Sequence, residues 1–489
     1  MASHYDCIVI GAGMSGLAAA IRLAMYDVRV LVLERHNAVG GLNSFYSLEG
    51  RKYDVGLHAM TNYVPPAAKG APLTKLLRQL RLKHADLDLA EQCGSRIAFP
   101  GFELAFTNDF SVLESEVARE FPAQVDGFRR LVAKLHEFDE TKLVTEEHSA
   151  RALLKGYLRN SPLVDALLLP TCYYGSAREN DMDLTQFAIM FRALFFEGFA
   201  RPFEGVRRIL RLLRERLKEA GGERRMKCGV STIHHDGGRA TALELDDGST
   251  VTADHVLSSI GWAETLRLMG KPPAETASLV GRLSFVETLA VLKRPPVDYG
   301  WEDTIVFFND AERFTYACPS GLVDPRSGVI CFPNNYRYSE GRSLEEGWLR
   351  VTALANYDRW AALRSRDRTG AADGGASTFG DDPSRAYTSA KDDWFVRLQD
   401  QALRFLPGEM DPENLSRQTI ARDMFSPTTI TRYTGHLRGA IYGAPCKNKP
   451  GTTELENLYL CGTDQGFLGI TGAMLSGISM ANAHVLSRL

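Results

Sequence analysis

Three glycines near the start of the chain have the spacing that brings a protein backbone close to a phosphate group. Gly11, Gly13 and Gly16 form the pattern G-x-G-x-x-G, and Glu34 follows 18 residues after the last of them. In this pattern the first glycine allows a tight turn, the second lets a pyrophosphate approach the backbone, and the third lets a helix pack closely on a strand. The Glu34 carboxylate can accept hydrogen bonds from both hydroxyls of an adenosine ribose. These residue types predict a dinucleotide-binding site.

The segments around the glycines predict the elements that must position them. Residues 5–10 and 28–33 are short apolar runs typical of buried strands. Between them, residues 17–25 are rich in alanine, as expected of a helix packed on a sheet. The start of this helix, at Met14 and Ser15, would offer free N–H groups and the positive end of the helix dipole to the phosphates. The order strand, helix, strand therefore supports the nucleotide-binding interpretation over a chance glycine turn.

A second pair of glycines favours one dinucleotide over another. Five residues separate Glu34 from the pair Gly40 and Gly41. Such a pair lets the backbone lie against a longer ligand that extends past the first phosphate. The combination resembles the two-dinucleotide-binding-domain flavoproteins, in which the ligand is FAD. FAD is therefore the predicted cofactor.

A second motif of small residues lies near the end of the chain. Residues 457–461 predict the last strand, and Gly462 and Asp464 follow it. A helix rich in small residues comes next, with its N-terminus expected near Gly472. Asp464 can bind the ribityl hydroxyls of a flavin. The helix N-terminus would point at the flavin N1–C2=O edge, where its dipole favours the reduced state.

His58 is the candidate catalytic residue. Residues 53–56 predict a short strand that ends at a glycine. The resemblance to flavoproteins implies that the chain passes the flavin ring at about this point, where Gly56 would allow close backbone approach. A histidine just after this strand either contacts the flavin and handles a proton, or is held by local hydrogen bonds. The residue types alone favour the second interpretation.

An aromatic segment supplies the candidate substrate contacts. Phe187, Phe191 and Phe195 recur at four-residue spacing and so share one face of a helix. Such a face packs into a core, lines a tunnel for an apolar substrate, or dips into a membrane surface. These alternatives stay open at this stage.

The remaining patterns predict how the chain is divided. A basic helix at 205–220 is followed by short strands between residues 225 and 258, separated by Asp-Gly and Gly-Gly turns. This order resembles the returning half of an FAD domain, with the Val230 backbone beside adenine. A polar loop or insertion is predicted at 364–393. The predicted organisation is an FAD-binding domain from residues 1–82, 201–283 and 426–489, a helical substrate or cap region at 83–200, and a substrate domain at 284–425.

The composition excludes several function classes. A net charge of −3 provides no global field to recruit nucleic acid. The eight cysteines include no C-x-x-C pair and no metal-ligand spacing, so they are expected to be reduced residues of a cytoplasmic protein. No signal peptide and no transmembrane span are expected. Peripheral contact with the cytoplasmic face of a membrane stays open.

Five anchors together resemble the phytoene desaturase and carotenoid isomerase family, which includes the retinol saturases. They are GAGMSG, Glu34 with the glycine pair that follows after five intervening residues, YDVGLH, DGSTVTADHVLSSIG and GTDQGFLGITGAMLSG. YDVGLH is most similar to the isomerase and saturase branch. The family often has Arg or Lys directly after the glycine pair, whereas Leu42 and Asn43 follow it here. The predicted FAD-binding residues are Gly11, Gly13, Met14, Ser15, Gly16, Glu34, Arg35, Gly40, Gly41, Leu42, Asn43, Gly56, Leu57, His58, Val230, Gly462, Asp464, Gly469, Ile470, Gly472 and Ala473.

The resemblance implies an α/β protein with a Rossmann-type FAD-binding domain and an inserted α+β substrate domain. It implies an FAD-dependent oxidoreductase that acts on C–C bonds of a hydrophobic, isoprenoid or lipid-like substrate, by hydride transfer to flavin N5. Three alternatives stay open. They are an isomerase or saturase that works with reduced FAD, an enzyme similar to amine oxidases or protoporphyrinogen oxidases, and a non-catalytic FAD protein. The electron acceptor is also left open.

Overall fold

Two large β-sheets organise the chain. The computed structural model describes residues 3–56, 58–138, 147–365 and 384–488. Its strands are β1 Ser3–Ile10, β2 Val30–Glu34, β3 Phe45–Leu48, β4 Arg51–Asp54, β5 Leu89–Glu91, β6 Ser95–Phe99, β7 Phe102–Phe106, β8 Ala200–Pro202, β9 Glu223–Met226, β10 Val230–Asp236, β11 Arg239–Leu245, β12 Thr250–Ser258, β13 Ser284–Leu292, β14 Ile305–Asn309, β15 Val323–Cys331, β16 Gly347–Ala355, β17 Thr419–Phe425 and β18 Leu458–Leu460.

Helices cover both sheets. They are α1 Met14–Ala24, α2 Pro72–Leu80, α3 Phe110–Glu120, α4 Val125–His136, α5 Ala150–Tyr157, α6 Ser161–Gly175, α7 Leu184–Phe191, α8 Val206–Glu219, α9 Trp262–Leu268, α10 Pro273–Thr276, α11 Tyr357–Ser365, α12 Arg385–Leu403, α13 Pro412–Gln418, α14 Pro427–Thr434 and α15 Gly469–His484. A π-helical turn at Arg192–Phe196 extends α7. Within the described residues, no helix is both long enough and apolar enough to cross a membrane.

The first sheet brings the two ends of the chain together. Its order is β10–β11–β12–β1–β2–β9, and β18 pairs with β12. In the parallel part, Ile10 of β1 lies opposite Leu33 and Ser258, and Ser258 lies opposite Leu460. Parallel strands have their carboxyl ends at one edge of a sheet, where ligands of α/β proteins bind. The residues that follow β1, β2 and β18 therefore meet at this edge.

Two glycines let helices α1 and α15 pack closely over this sheet. A Cβ on Gly16 would lie 2.1 Å from the carbonyl oxygen of Gly11, so α1 could not lie this close to the turn with a larger residue. A Cβ on Gly477 would lie 2.0 Å from the carbonyl oxygen of Ser15. Backbone therefore lies directly against backbone, which carries the start of α15 to the same edge of the sheet.

The second sheet has the order β17–β13–β16–β15–β14–β6–β7. Its pairs are antiparallel except for β14 with β6. Strands β6 and β7 come from the segment 83–200, which the sequence patterns predicted to be helical. They become strands because β6 pairs with β14, where Ser95 lies opposite Ile305, a partner that local periodicity does not reveal. Strands β16 and β17 were also not predicted.

The polar segment predicted as a loop at 364–393 is helical in part. Residues 366–383 of this prediction lie outside the described residues. From Arg385 onward the loop prediction is wrong, because α12 begins there. The Ser384 hydroxyl accepts a hydrogen bond from the Tyr387 backbone N–H and so caps the helix.

Candidate flavin and substrate site

The two predicted glycine motifs lie side by side at the carboxyl edge of the first sheet. The Gly40 backbone N–H donates to the Ala12 carbonyl oxygen at 2.8 Å. A Cβ on Gly41 would lie 3.6 Å from Gly13 Cα, whereas a Cβ on Gly13 would have no heavy atom within 4 Å. The two stretches of backbone thus form one strip, and the space beside Gly13 on this strip is open.

Helix α1 points its N-terminus at this strip. Among the described residues, no hydrogen-bond acceptor is present for the backbone N–H groups of Met14, Ser15 and Gly16. Free N–H groups at a helix N-terminus, together with the helix dipole, favour an anionic group. An open strip beside unsatisfied donors therefore fits the pyrophosphate of FAD.

The predicted adenosine contacts also come together. Glu34 Oε2 accepts from the Ala12 N–H and Oε1 accepts from the His36 N–H, each at 2.8 Å. Because a carboxylate oxygen has two lone pairs, both oxygens can still accept from ribose hydroxyls. Arg35 Nη2 donates to the Val230 carbonyl oxygen at 2.7 Å. The predicted ribose and adenine contacts are therefore neighbours.

Asp464 is buried, and its carboxylate connects three segments. Oδ2 accepts from the Trp262 N–H and Oδ1 from the Ala444 N–H, each at 2.6 Å. Lys447 Nζ lies 3.8 Å from Oδ1. Gly462 precedes this residue with a φ of 97°, and a Cβ there would lie 2.9 Å from Ser15 Oγ. Ribityl binding by Asp464 stays a prediction.

A cavity opens where the start of α15 meets the second sheet; it is called the flavin cavity below. Helix α15 begins at Gly469, one turn before the start expected near Gly472, and this places Ile470 at the cavity. Leu57 lies outside the described residues. Seven predicted FAD-binding residues line the flavin cavity: Leu42, Asn43, Gly56, His58, Gly469, Ile470 and Ala473.

Half of the other lining residues come from the predicted substrate segments, and this part of the lining is largely apolar. A Cβ on Gly56, whose φ is 67°, would lie 2.4 Å from the Leu42 carbonyl oxygen, so the backbone of Leu42 packs directly against Gly56. The apolar and aromatic lining residues are Val55, Ala59, Tyr173, Tyr174, Phe285, Val286, Val329, Phe425, Ile430, Ile441, Tyr442 and Leu468.

His58 is held at the cavity wall by a carboxylate of the second sheet. His58 Nε2 lies 2.8 Å from Glu287 Oε1 and 3.2 Å from Thr352 Oγ1. The Tyr336 hydroxyl donates to the His58 carbonyl oxygen at 2.9 Å. Among the described residues, Nδ1 has no hydrogen-bond partner. The ring is therefore oriented through Nε2 alone.

Arg350 completes a buried charge network. Its Nε donates to Glu287 Oε1 at 2.7 Å, and its side chain is 2% exposed. Burial alone would raise the pKa of Glu287, but Arg350 and His58 outweigh this effect and lower the pKa to about 2. Burial would lower the pKa of Arg350, but Glu287 raises it above its usual range. Glu287 is therefore ionised, and its charge is compensated inside the protein.

The three phenylalanines proposed as substrate contacts are fully buried. Phe187, Phe191 and Phe195 belong to the core between α3–α7 and the second sheet. Phe195 packs edge-on against Phe106 at 5.1 Å between ring centroids. The lining of the flavin cavity does not include them. Their positions favour the packed-core interpretation.

Sequence reasoning missed Glu287 and Arg350. Each is a charged residue within a strand whose neighbours are otherwise mostly apolar, SFVETLAVL and GWLRVTALA. A charge inside a buried strand needs a partner, because its desolvation is otherwise costly. That signal could have identified both residues as partners in one network.

Comparison with known proteins identifies the family and the fold of this chain. The profile of the flavin-containing amine oxidoreductase family matches residues 14–483. An oxidoreductase structure from Methanosarcina mazei superposes with a TM-score of 0.64 at 16% identity, covering 97% of this chain and 99% of that one. The family match confirms the predicted FAD cofactor and the prediction of an FAD-dependent oxidoreductase. Both matches confirm the predicted fold class.

Two curated relatives carry the predicted resemblance. The chloroplastic prolycopene isomerase of Arabidopsis thaliana is 23% identical over 287 residues, which cover 53% of this chain and 48% of the relative. The neurosporene-forming phytoene desaturase of Rhodobacter capsulatus is 27% identical over 300 residues, 53% of each chain. The chain thus spans about half the length of the curated relatives it matches. Both names confirm the predicted family resemblance.

Proposed function

Because this chain belongs to the flavin-containing amine oxidoreductase family, we propose that it dehydrogenates a C–C bond of a hydrophobic isoprenoid or lipid-like substrate. The substrate would bind in the flavin cavity. The observation that carries this proposal is the wall of this cavity: it is largely apolar, and its carboxylate, Glu287, is paired with Arg350.

The wall favours an apolar molecule over an amine. Among the described residues that line the cavity, Glu287 is the only carboxylate, and Arg350 already compensates its charge. A cationic amine would lose its hydration without gaining a free acidic partner. An apolar chain would gain about 25 cal/mol for each Å² that it buries against the aromatic wall.

His58 is the group of the wall suited to move a proton. FAD, when bound, supplies two-electron redox chemistry. Glu287 accepts the Nε2 proton of a neutral His58, which leaves the lone pair on Nδ1. Nδ1 can then accept a proton that a substrate in the cavity loses. The aromatic wall excludes water from the same space.

The test is flavin reduction by defined substrates. The FAD-loaded protein is mixed without oxygen with phytoene in detergent micelles, or with putrescine in buffer, and the visible flavin absorbance is followed. We expect bleaching with phytoene and none with putrescine. The Ile430→Trp variant narrows the cavity and should slow bleaching, whereas Ile189→Trp, which does not line it, serves as the control. Bleaching by putrescine alone would refute the proposal.

An isomerase or saturase reaction with reduced FAD is the second candidate. It is favoured by the similarity to a prolycopene isomerase and by the N-terminus of α15 at the cavity, whose dipole stabilises negative charge. The protein is reduced chemically without oxygen and mixed with a poly-cis carotenoid. An isomerised product with no net flavin oxidation would support this reaction, and an unchanged carotenoid would exclude it.

A further inference from the structure

A second cavity lies on the other side of the first turns of α15; it is called the α2–α7–α15 cavity below. Helices α2, α7 and α15 enclose it, together with the loops at 449–450 and 465–468. Its volume is about 510 Å³, within the usual range for small-molecule sites of about 300–1,000 Å³. Leu468 lines both this cavity and the flavin cavity. The proposed reaction does not use this space.

The middle of the cavity is apolar. One face of α15 contributes residues at helical spacing, among them Gly472, Leu475 and Ser479. Helix α7 contributes Ile189 from the opposite side. Apolar side chains that line the cavity include Pro72, Ile189, Phe467, Leu468, Leu475 and Met480.

A buried side-chain amide at the cavity has no hydrogen-bond partner among the residues that the structure describes. Gln186 lines the cavity and is 2% exposed. Its Nε2 is buried, and no hydrogen-bond partner for it is present among the described residues. By contrast, the neighbouring amide of Gln465 donates to the Lys449 carbonyl oxygen and accepts from Ser476. A side-chain amide can turn either end toward the cavity. Gln186 therefore has unused hydrogen-bonding capacity for an oxygen atom of a ligand.

The charged residues of the lining are all cationic types. Lys75 is exposed, and no ion-pair partner for it is present among the described residues. Lys449 Nζ lies 3.8 Å from Asp183 Oδ1 and 3.5 Å from Thr185 Oγ1. No acidic side chain is among the described residues that line the cavity. The lining therefore favours an anion over a cation.

We infer that the α2–α7–α15 cavity binds an amphipathic carboxylate, a long apolar chain with one acidic head. The apolar chain of the ligand packs along α15 and α7, and its acidic head accepts hydrogen bonds from Lys75, Lys449 and the Gln186 amide. A hydrocarbon would leave Gln186 without a partner, and a diamine would meet like charges. This site goes beyond the proposed dehydrogenation and does not depend on it.

The test is equilibrium dialysis of radiolabelled oleate against the oxidised, FAD-loaded full chain. We expect saturable binding of one oleate per chain and weaker binding of oleyl alcohol. Leu475→Trp fills the apolar middle and should weaken oleate binding by about tenfold or more. Ile189→Trp provides the same test from the opposite wall if Leu475→Trp does not retain FAD. Lys75→Glu should weaken oleate but not oleyl alcohol, whereas Lys155→Glu on α5, outside the cavity, should change neither.

A matched control separates the two cavities. Ile430→Trp narrows the flavin cavity and should leave oleate binding unchanged. If Ile430→Trp rather than Leu475→Trp removes oleate, the fatty acid occupies the flavin cavity and the inference is wrong. Equal binding of acid and alcohol, or no saturable binding of oleate, also overturns it. Dialysis involves no turnover, so failure of the proposed reaction leaves this result intact.

Discussion

Replacing Glu287 by glutamine should destabilise the folded protein because it removes the negative charge that compensates the buried Arg350 guanidinium. Glu287 is 7% exposed, and its Oε1 contacts Arg350 Nε at 2.7 Å and His58 Nε2 at 2.8 Å. The Glu287→Gln variant keeps the size of the side chain and one acceptor oxygen. Only the negative charge beside the buried Arg350 guanidinium is lost.

The expected magnitude follows from the pKa. A pKa lowered from 4.5 to about 2 corresponds to about 3 kcal/mol of stabilisation at pH 7. Removing one partner of a buried ion pair typically costs about 3–5 kcal/mol, in agreement with this value. Because the pKa is lowered on folding, the contribution is complete above about pH 4.5 and is lost as the pH falls toward 2. At pH 3 the difference between wild type and variant should be roughly half its value at pH 7.

The assay is urea unfolding of the FAD-loaded proteins, followed by tryptophan fluorescence at several pH values. Glu346→Gln is the matched control, because Glu346 pairs with Arg51 at 2.7 Å near the surface and should contribute about 1 kcal/mol or less. An unfolding midpoint of Glu287→Gln equal to that of wild type would refute the reasoning. So would a difference that does not shrink as the pH falls from 7 to 3.

Three further predictions follow from the same geometry. Glu34→Ala should lower the amount of FAD that stays bound during gel filtration, since each charge-assisted hydrogen bond to ribose contributes about 1.5–3 kcal/mol. An unchanged FAD content would place the adenosine elsewhere. Gly13→Ala should fold normally yet bind FAD weakly, because its Cβ meets only open space in the protein, whereas Gly16→Ala should destabilise the fold because its Cβ would lie 2.1 Å from the Gly11 carbonyl oxygen. Circular dichroism measures the stability of each variant and flavin absorbance measures its FAD content; equal melting temperatures of the two variants would contradict this difference. His58→Gln should retain FAD and lose flavin bleaching by phytoene, because glutamine has no basic nitrogen that can accept a proton in the cavity; full bleaching would assign His58 a purely structural role.

Local spacing in the sequence was sufficient to predict the two glycine turns and the acidic residue between them. The turns at Gly11–Gly16 and Gly40–Gly41 depend on residues that follow one another directly, so their glycines and the acidic Glu34 could be recognised without knowledge of the fold. The same holds for α1, β12 and β13, which local patterns in the sequence predicted. The start of α15 was expected one turn too late, because its N-cap residue, Leu468, has no capping side chain that would mark the start.

The substrate half was decided by the tertiary structure. His58 and Glu287 are 229 residues apart, and only the pairing of β13 with β16 brings Arg350 to the same carboxylate. The spacing of Phe187, Phe191 and Phe195 defines one helix face but does not say what that face contacts. The structure packs it against the core under the second sheet, because β6 pairs with β14, β7 pairs with β6, and the two strands extend that surface. A helix face is fixed by nearest neighbours in the sequence, whereas its partner depends on strand pairing over hundreds of residues.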